Sequence, residues 1–260
     1  MSKLAVCELI SVGTEILLGD ILNTDAQFLS IELARLGISV IHQSTVGDNR
    51  ERLLAQLKEA ADRSDIIILS GGLGPTPDDL TKEVCCEFFG KKMFLHEPTV
   101  EKIKTYFSTK GMEMAQNNLK QAMLPKDCVI FPNDNGTAPG MAIEKDGVHI
   151  LVLPGPPREL KPMFRNCAVP YLMQFSDRII VSHNIRTFGI GESLMAERVN
   201  DLFDTENPTV APYAKDGEAL LRVTAMARTK EEAENLCKPV INEIKNRLDG
   251  FVYGVDSVSY

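Results

Sequence analysis

Apolar positions along the first ninety residues repeat with two periods. Ala5 to Val12 is an apolar run interrupted only by Glu8 and Ser11, which predicts a strand. Asn23 or Thr24 then caps a helix whose Ala26, Leu29, Leu33 and Leu36 form one stripe, and Gly37 stops it. Ile38 to Val46 reads as a second strand. Asp48, with Glu51 three residues later, makes a capping-box-like start for a helix carrying Leu53, Leu54, Leu57 and Ala60. Ser64-Asp65 feeds Ile66-Ile-Ile-Leu69, four aliphatics in succession, which predict a strand buried on both faces. Three strands alternating with helices make a βαβαβ unit, and short crossovers of this kind imply a right-handed parallel sheet.

The pattern changes further on. Residues 98 to 124 read as helical, with Val100, Ile103, Tyr106 and Phe107 on one face, a break at Gly111, then Leu119 and Met123. The amide-rich Asn117-Asn118-Leu-Lys120-Gln121 could face a ligand, but a solvated helix face is the reading preferred. Cys128 to Pro132 is a short strand, and Met141 to Glu144 pairs with Val148 to Leu153 across Lys145-Asp146-Gly147. A boundary falls within Asn166 to Asp177. Beyond it come a strand (Ile179 to Thr187), a helix (Glu192 to Phe203), two strands around Tyr213 to Gly217, a helix (Lys230 to Leu248) and a terminal strand (Phe251 to Gly254). The fold class is therefore α/β, a mostly parallel sheet with helices on both faces over 1–170, followed by a small α+β domain over 177–255.

Bulk composition narrows the function classes. With 260 residues, 44% hydrophobic and 25% charged, the chain has room for a main domain and a small one. No apolar run approaches membrane-spanning length, and Met1-Ser-Lys-Leu-Ala lacks a signal-peptide layout. Cysteines 7, 85, 86, 128, 167 and 237 are scattered without a CxxC, which argues for reduced thiols and a cytoplasmic home. Histidines 42, 96, 149 and 183 show no zinc-ligand spacing. A net charge of −8 disfavours nucleic acid as a partner. The order of the second domain resembles an RNA-binding KH module. Residues 178–254 hold 10 basic against 12 acidic side chains, and Gly189-Ile-Gly191 is not a GxxG clamp, so RNA binding is not expected. Tyr213 and Lys215 would lend at most an edge to a site. A homodimer is the default assembly.

The candidate chemistry lies where the Ile66–Leu69 strand ends. Ser70, Gly71, Gly72 and Gly74 let the backbone turn sharply and bring N–H groups close to an anion. Pro75 and Pro77 stiffen the exit, Asp78 and Asp79 follow, and Thr81 leads into a helix through Val84 and Phe88. A glycine turn beside an acidic pair suits a phosphate with its metal ion, because bare carboxylates would repel the phosphate. Ligands of parallel sheets bind beyond the carboxyl ends of the strands, which puts Glu15 and Asp20 on the same edge as Asp78 and Asp79. Two further loops are candidates. Asn133 to Gly140, with Asn135, Gly136 and Thr137, can lie flat against a planar or polyol group. Pro154-Gly155-Pro156-Pro157-Arg158-Glu159-Leu-Lys161 repeats the strand-to-helix exit, where helix amides and Arg158 would face an anion.

Several stretches together resemble the CinA (competence/damage-inducible protein A) family: SVGTEILLGDILNTDAQF, TVGDNRERL, SGGLGPTPDDLT, DNGTAPG, LPGPPREL, FGIGES and APYAKDGEALLRVTA. The first domain is similar to the molybdopterin-binding fold of the MogA and MoaB proteins, whose Gly-Gly-x-Gly…Asp-x-Thr signature falls on Gly71, Gly72, Gly74, Asp79 and Thr81. The resemblance implies a hydrolase that needs Mg, Mn or Co, with potassium as a helper ion. It would cleave the pyrophosphate of ADP-ribose to AMP and ribose 5-phosphate. It implies Asp79 as a metal ligand, with Asp78 and Asp20 as further ligands and Asp78 or Glu15 as the base that orients water. Gly71, Gly72, Gly74, Thr76, Thr81, Asn135, Gly136, Thr137, Gly155, Pro156 and Glu159 would hold phosphate and nucleotide. The same fold also admits a molybdopterin-binding or nucleotidyl-transfer protein, and the family name suggests a non-catalytic module in competence. Asp78 stands where many pterin enzymes carry a basic residue, which weighs against adenylyl transfer. Many members continue into a nicotinamide mononucleotide amidohydrolase domain. The sequence stops at Tyr260, so that activity is not carried over.

Overall fold

The computed structural model describes residues 5–175, 178–215 and 218–256. Ser176 and Asp177 of the expected boundary, Asp216-Gly217 of the expected turn, Met1–Leu4 and the Lys215 side chain lie outside the described residues. The chain divides into two compact units, Met1–Ala34 with Ile38–Phe175, and Arg35–Gly37 with Ser176–Tyr260.

In chain order the first unit holds β1 (Val6–Val12), α1 (Thr14–Leu18), α2 (Thr24–Arg35), β2 (Ser39–Val46), α3 (Arg50–Ala61), β3 (Ile66–Ser70), α4 (Thr81–Phe88), β4 (Met93–Leu95) and α5 (Glu97–Thr109). It continues with a 3-10 stretch (Gln116–Ala122), β5 (Met123–Pro125), β6 (Val129–Phe131), β7 (Gly140–Lys145), β8 (Val148–Leu153) and α6 (Pro157–Met163). A π turn (Phe164–Ala168) leads from α6 into α7 (Val169–Leu172). The six-stranded sheet has the order β2-β1-β3-β8-β7-β6. Its first four strands are parallel, while β7 and β6 run antiparallel to their neighbours. The expected mostly parallel sheet is present.

Strand β3 shows why this sheet forms. Ile66 to Leu69 have no solvent exposure, and full burial of one such side chain contributes about 1.5–3 kcal/mol. Ile67 and Leu69 pack in one cluster with Leu53 and Leu57 of α3 and Val84 and Cys85 of α4. Strand alternation turns Ile66 and Ile68 to the other face. The buried Leu29, Leu33 and Leu160 come from α2 and α6, and Phe28 meets Phe164 edge-on at 5.8 Å.

Some local expectations change. The cap of α3 is Asn49, whose side chain accepts from the Arg52 N–H at 3.0 Å, because Asp48 is engaged elsewhere. The break expected at Gly111 is present, with α5 ending at Thr109 and Gly111 left-handed at φ 64°, but beyond it the chain winds as a 3-10 stretch and not an α-helix. Met123–Pro125 leaves the helical pattern to pair antiparallel with Met93–Leu95, a ladder that satisfies both backbones. Asn118 and Gln121 are buried, so the amide-rich segment is not a solvated face. Six free cysteines are present, with Cys7, Cys85, Cys86 and Cys237 buried.

The second unit contains β9 (Ile179–Thr187), α8 (Glu192–Arg198), a 3-10 stretch (Asn200–Asp204), β10 (Thr209–Lys215), β11 (Glu218–Ala227), α9 (Lys230–Arg247) and β12 (Val252–Val255). Its antiparallel sheet has the order β10-β11-β9-β12. The helix expected to reach Phe203 stops at Arg198 and tightens into the 3-10 stretch. A capping box of Thr229 and Glu232 starts α9. No helix among the described residues is long and apolar enough to cross a membrane.

Candidate active site

Leaving β3, the chain turns over Gly71 and Gly72 at φ 99° and 67°. Space demands glycine there as well. A Cβ on Gly71 would stand 2.1 Å from the Val12 carbonyl oxygen, and one on Gly72 would stand 2.2 Å from Thr81 Oγ1. Three bonds lock the turn from beneath. The Gly71 N–H donates to Leu153 O at 3.1 Å, the Thr81 N–H to Gly72 O at 3.2 Å, and the Thr81 hydroxyl to Gly71 O at 2.8 Å. The N–H groups of Gly72, Leu73 and Gly74 take no partner among the described residues, so they remain free for an anion.

Beyond the prolines Asp79 folds back on the loop. Its Oδ2 accepts from the Thr76 N–H at 3.1 Å and from the Thr76 hydroxyl. Lys120 clamps the same loop, with Nζ donating to Thr76 O at 2.8 Å and to Asp79 O. Gln121 donates through Nε2 to Leu73 O at 3.3 Å. Beneath, the buried Lys82 ammonium donates to Gln121 O at 2.6 Å and to Met123 O at 3.3 Å. Burial pushes Lys82 down to about 8, against the pull of Glu83. The amide-rich segment and Lys82 are thus braces that hold the acidic loop in place.

Around this turn lies a cavity of about 540 Å³ at the carboxyl ends of β1, β3 and β8. Glu15, Asp25, Asp48, Asp78, Asp79 and Glu159 line it, and no Lys, Arg or His does among the described residues. Ile16, Ile21 and Leu22 give it one apolar wall. Asp48 accepts from the Thr14 N–H at 3.0 Å and its hydroxyl at 2.7 Å, which joins the start of α1 to the end of β2.

Of the residues chosen from sequence, Glu15, Gly71, Gly72, Gly74, Asp78, Asp79, Thr137, Gly155, Pro156 and Glu159 line the cavity. Asp20, Thr76, Thr81, Asn135 and Gly136 do not line it. Asp20 sits on the exposed turn after α1, its N–H on Glu15 O at 3.0 Å, so it does not join Asp78 and Asp79 in a metal cluster. Thr76 is taken by Asp79, and Thr81 is fully buried behind the glycines. The Asn135 N–H bonds Asn133 Oδ1 at 3.0 Å, and Asn133 Nδ2 holds Glu159 Oε2 at 2.9 Å. The 133–138 loop therefore positions Glu159 through Asn133.

The start of α6 also differs from expectation. Pro156 and Pro157 carry no N–H, and the Glu159 and Leu160 N–H groups return to Pro156 O at 2.9 and 3.0 Å. That terminus offers an anion few amides. Arg158 is largely exposed, 3.6 Å from Glu159. In the second unit, Tyr213 lies against the Arg222 guanidinium, 4.3 Å from it.

Residues 8–174 match the family model described as "Probable molybdopterin binding domain", and residues 182–254 match the "Damage-inducible protein CinA KH domain". A crystal structure of the protein CinA from Thermoplasma acidophilum, titled as of unknown function, is similar at 31% identity and a TM-score of 0.59. That match covers 64% of this chain and 98% of the other. The chain belongs to the CinA family. Among curated CinA relatives, a "CinA-like protein" of Dictyoglomus thermophilum is 54% identical over 97% of this chain. One of Dictyoglomus turgidum is 53% identical over the same share. This CinA-family chain spans 62% of the length of each. Within its molybdopterin-binding-like unit, Asp25, Asp48 and Lys120 escaped sequence reasoning. Each has only a local signal: Asp48 reads as a cap, Asp25 falls within the stretch NTDAQF, and Lys120 within the amide-rich segment.

Proposed function

We propose that the chain is a divalent-metal-dependent hydrolase acting on the pyrophosphate of ADP-ribose or a related nucleotide diphosphate. The observation that carries this reading is the charge of the cavity: among the described residues it has six carboxylates and free glycine-turn amides, without a basic side chain. Such a cavity receives a diphosphate only together with cations.

The donor set fits that metal. Among the described residues no three acidic, His or Cys side chains gather to cage an ion. Magnesium-like ions use one or two carboxylates and complete their shell with substrate phosphate and water. Asp79 and Asp78 beside the glycine turn, with Asp48 across the cavity, are hard oxygen donors of that kind. The metal when bound would draw charge from the phosphate oxygens. The chain itself orients and protects. The Gly72, Leu73 and Gly74 amides hold one phosphate, Thr76 and Lys120 fix Asp79, and the Ile16, Ile21 and Leu22 wall shelters the ligand from water. Glu15 takes the proton of the attacking water as its oxygen bonds to phosphorus. The bond from that phosphorus to the bridging oxygen breaks, giving AMP and ribose 5-phosphate.

Purified protein supplied with ADP-ribose and Mg²⁺, Mn²⁺ or Co²⁺ should release AMP, and chelation should stop it. No AMP with any of the three ions would sink the proposal. A second reading, molybdopterin binding, is supported by the family model over residues 8–174. Tight pterin binding without ADP-ribose cleavage would favour it.

A further inference from the structure

The proposed hydrolysis leaves Asp25 unused. It stands in the first turn of α2, 9% exposed, and lines the cavity. Its Oδ1 is buried without a hydrogen-bond partner. Neighbouring polar groups are already committed. The Asn23 side chain accepts from the Ala26 N–H at 3.1 Å and donates to Ser11 Oγ at 2.9 Å. Lys161 attracts the Asp25 carboxyl but forms no ion pair with it, its ammonium lying 5.5 Å from the Phe28 ring centroid. A buried carboxylate oxygen with nothing to accept is costly, and such a group persists where a ligand brings the missing donor.

The surroundings select the donor. A phosphate brings acceptors and negative charge, so Asp25 repels it. A metal ion is the poorer match, because Lys161 already lies near enough to attract the carboxyl and would repel a second cation. A neutral hydroxyl supplies one hydrogen bond and no charge. The rest of this wall is of matching character, because Asn23 and Ser70 also line the cavity and Ser70 lies opposite Ser11 in the β1–β3 pairing. Burial has raised the carboxyl to about 6, against the pull of Lys161, so near neutral pH it is mostly ionised and accepts.

We infer that Asp25 and Asn23 mark a sugar subsite, where the Asp25 carboxylate accepts a hydrogen bond from a ribose hydroxyl of the ligand whose phosphates occupy the glycine turn. This rests on the nucleotide reading of the cavity, and one set of measurements separates the two. Titration calorimetry in the presence of Mg²⁺ would measure binding of ADP-ribose, and of analogues each lacking one ribose hydroxyl, to the full chain and to its Asp25→Ala and Asp25→Asn variants. AMP release would be followed separately, and melting would verify the fold of each variant. One deoxy analogue should bind the unaltered chain about tenfold more weakly than ADP-ribose, as expected for a hydrogen bond to a charged acceptor. Asp25→Ala should lose as much for ADP-ribose and nothing further for that analogue, since both changes remove the same bond. Asp25→Asn, which keeps an acceptor oxygen, should fall between. Equal losses for every analogue on all three proteins would overturn the subsite. Cleavage of ADP-ribose with purely additive losses would remove the subsite and keep the hydrolase. Coupled binding without cleavage would keep the subsite and remove the hydrolase. No binding of ADP-ribose would remove both.

Discussion

The hydroxyl of Thr81 donates to the carbonyl of Gly71 across 2.8 Å from a side chain with no solvent exposure, tying α4 to the exit of β3. Thr81→Val keeps the shape and removes the donor, which leaves a buried carbonyl unsatisfied. The expected cost is about 1–3 kcal/mol of stability, read by denaturant unfolding, with lower ADP-ribose hydrolysis as the turn loosens. Thr81→Ser should restore most of both. Equal stability of the Val and Ser variants would show that the bond contributes nothing.

Asp79 has a different standing, since its carboxylate faces the cavity and is anchored through Thr76. Asp79→Asn preserves volume and one acceptor oxygen but removes the charge. Hydrolysis should fall by at least about a hundredfold, the scale on which metal-held charge lowers a barrier. Melting should stay close to that of the unaltered chain, because the site is at the surface and the Thr76 N–H keeps its partner. Unchanged turnover would take Asp79 out of the mechanism.

What could be seen in the sequence was local. Ile66–Leu69 announces a doubly buried strand because no other element tolerates four aliphatics before Gly71-Gly72, and α4 begins at Thr81 as expected. The cavity edge followed from a rule of parallel sheets, so Glu15, Asp78 and Asp79 met there although 63 residues separate Glu15 from Asp78. What stayed hidden depends on distant partners. Asp48 looks like a helix cap in isolation and becomes a cavity residue only because Thr14 draws it to α1. Asn118 and Gln121 look solvated until the Leu73 carbonyl gives Gln121 an acceptor. Lys82, Lys120 and Asp25 have no periodic signature at all, since burial of a charged side chain is a property of the assembled fold.

Lys82 makes one of those hidden contacts measurable. Its folded value near 8 lies below the ordinary 10.5, with burial as the main cause. Below pH 8 both folded and unfolded chains carry the proton, and the full burial penalty applies. Between 8 and 10.5 only the unfolded chain holds it, so stability gains with rising pH, by about 3 kcal/mol in total. In Lys82→Met that gain should vanish. Urea unfolding of both proteins across this range should show their stability difference shifting in favour of the lysine protein as pH rises. A constant difference would mean that the carbonyls of Gln121 and Met123 keep the ammonium charged.

Gly71 and Gly74 separate the architecture of the loop from its chemistry. A Cβ on Gly71 would meet the Val12 carbonyl oxygen, a backbone atom of β1 that cannot swing aside. Its φ of 99° adds strain for any other residue, so Gly71→Ala should destabilise the whole unit by more than about 2 kcal/mol. A Cβ on Gly74 would instead stand 2.3 Å from Asp79 Oδ2, the movable end of a side chain. Gly74→Ala should therefore melt near the unaltered chain while pushing the Asp79 carboxylate off its Thr76 anchor. Hydrolysis should drop toward the level of Asp79→Asn, and the double variant should be no worse than either single one, because both act on one carboxylate. A folded Gly74→Ala protein with full turnover would mean that the position of Asp79 does not matter to the reaction.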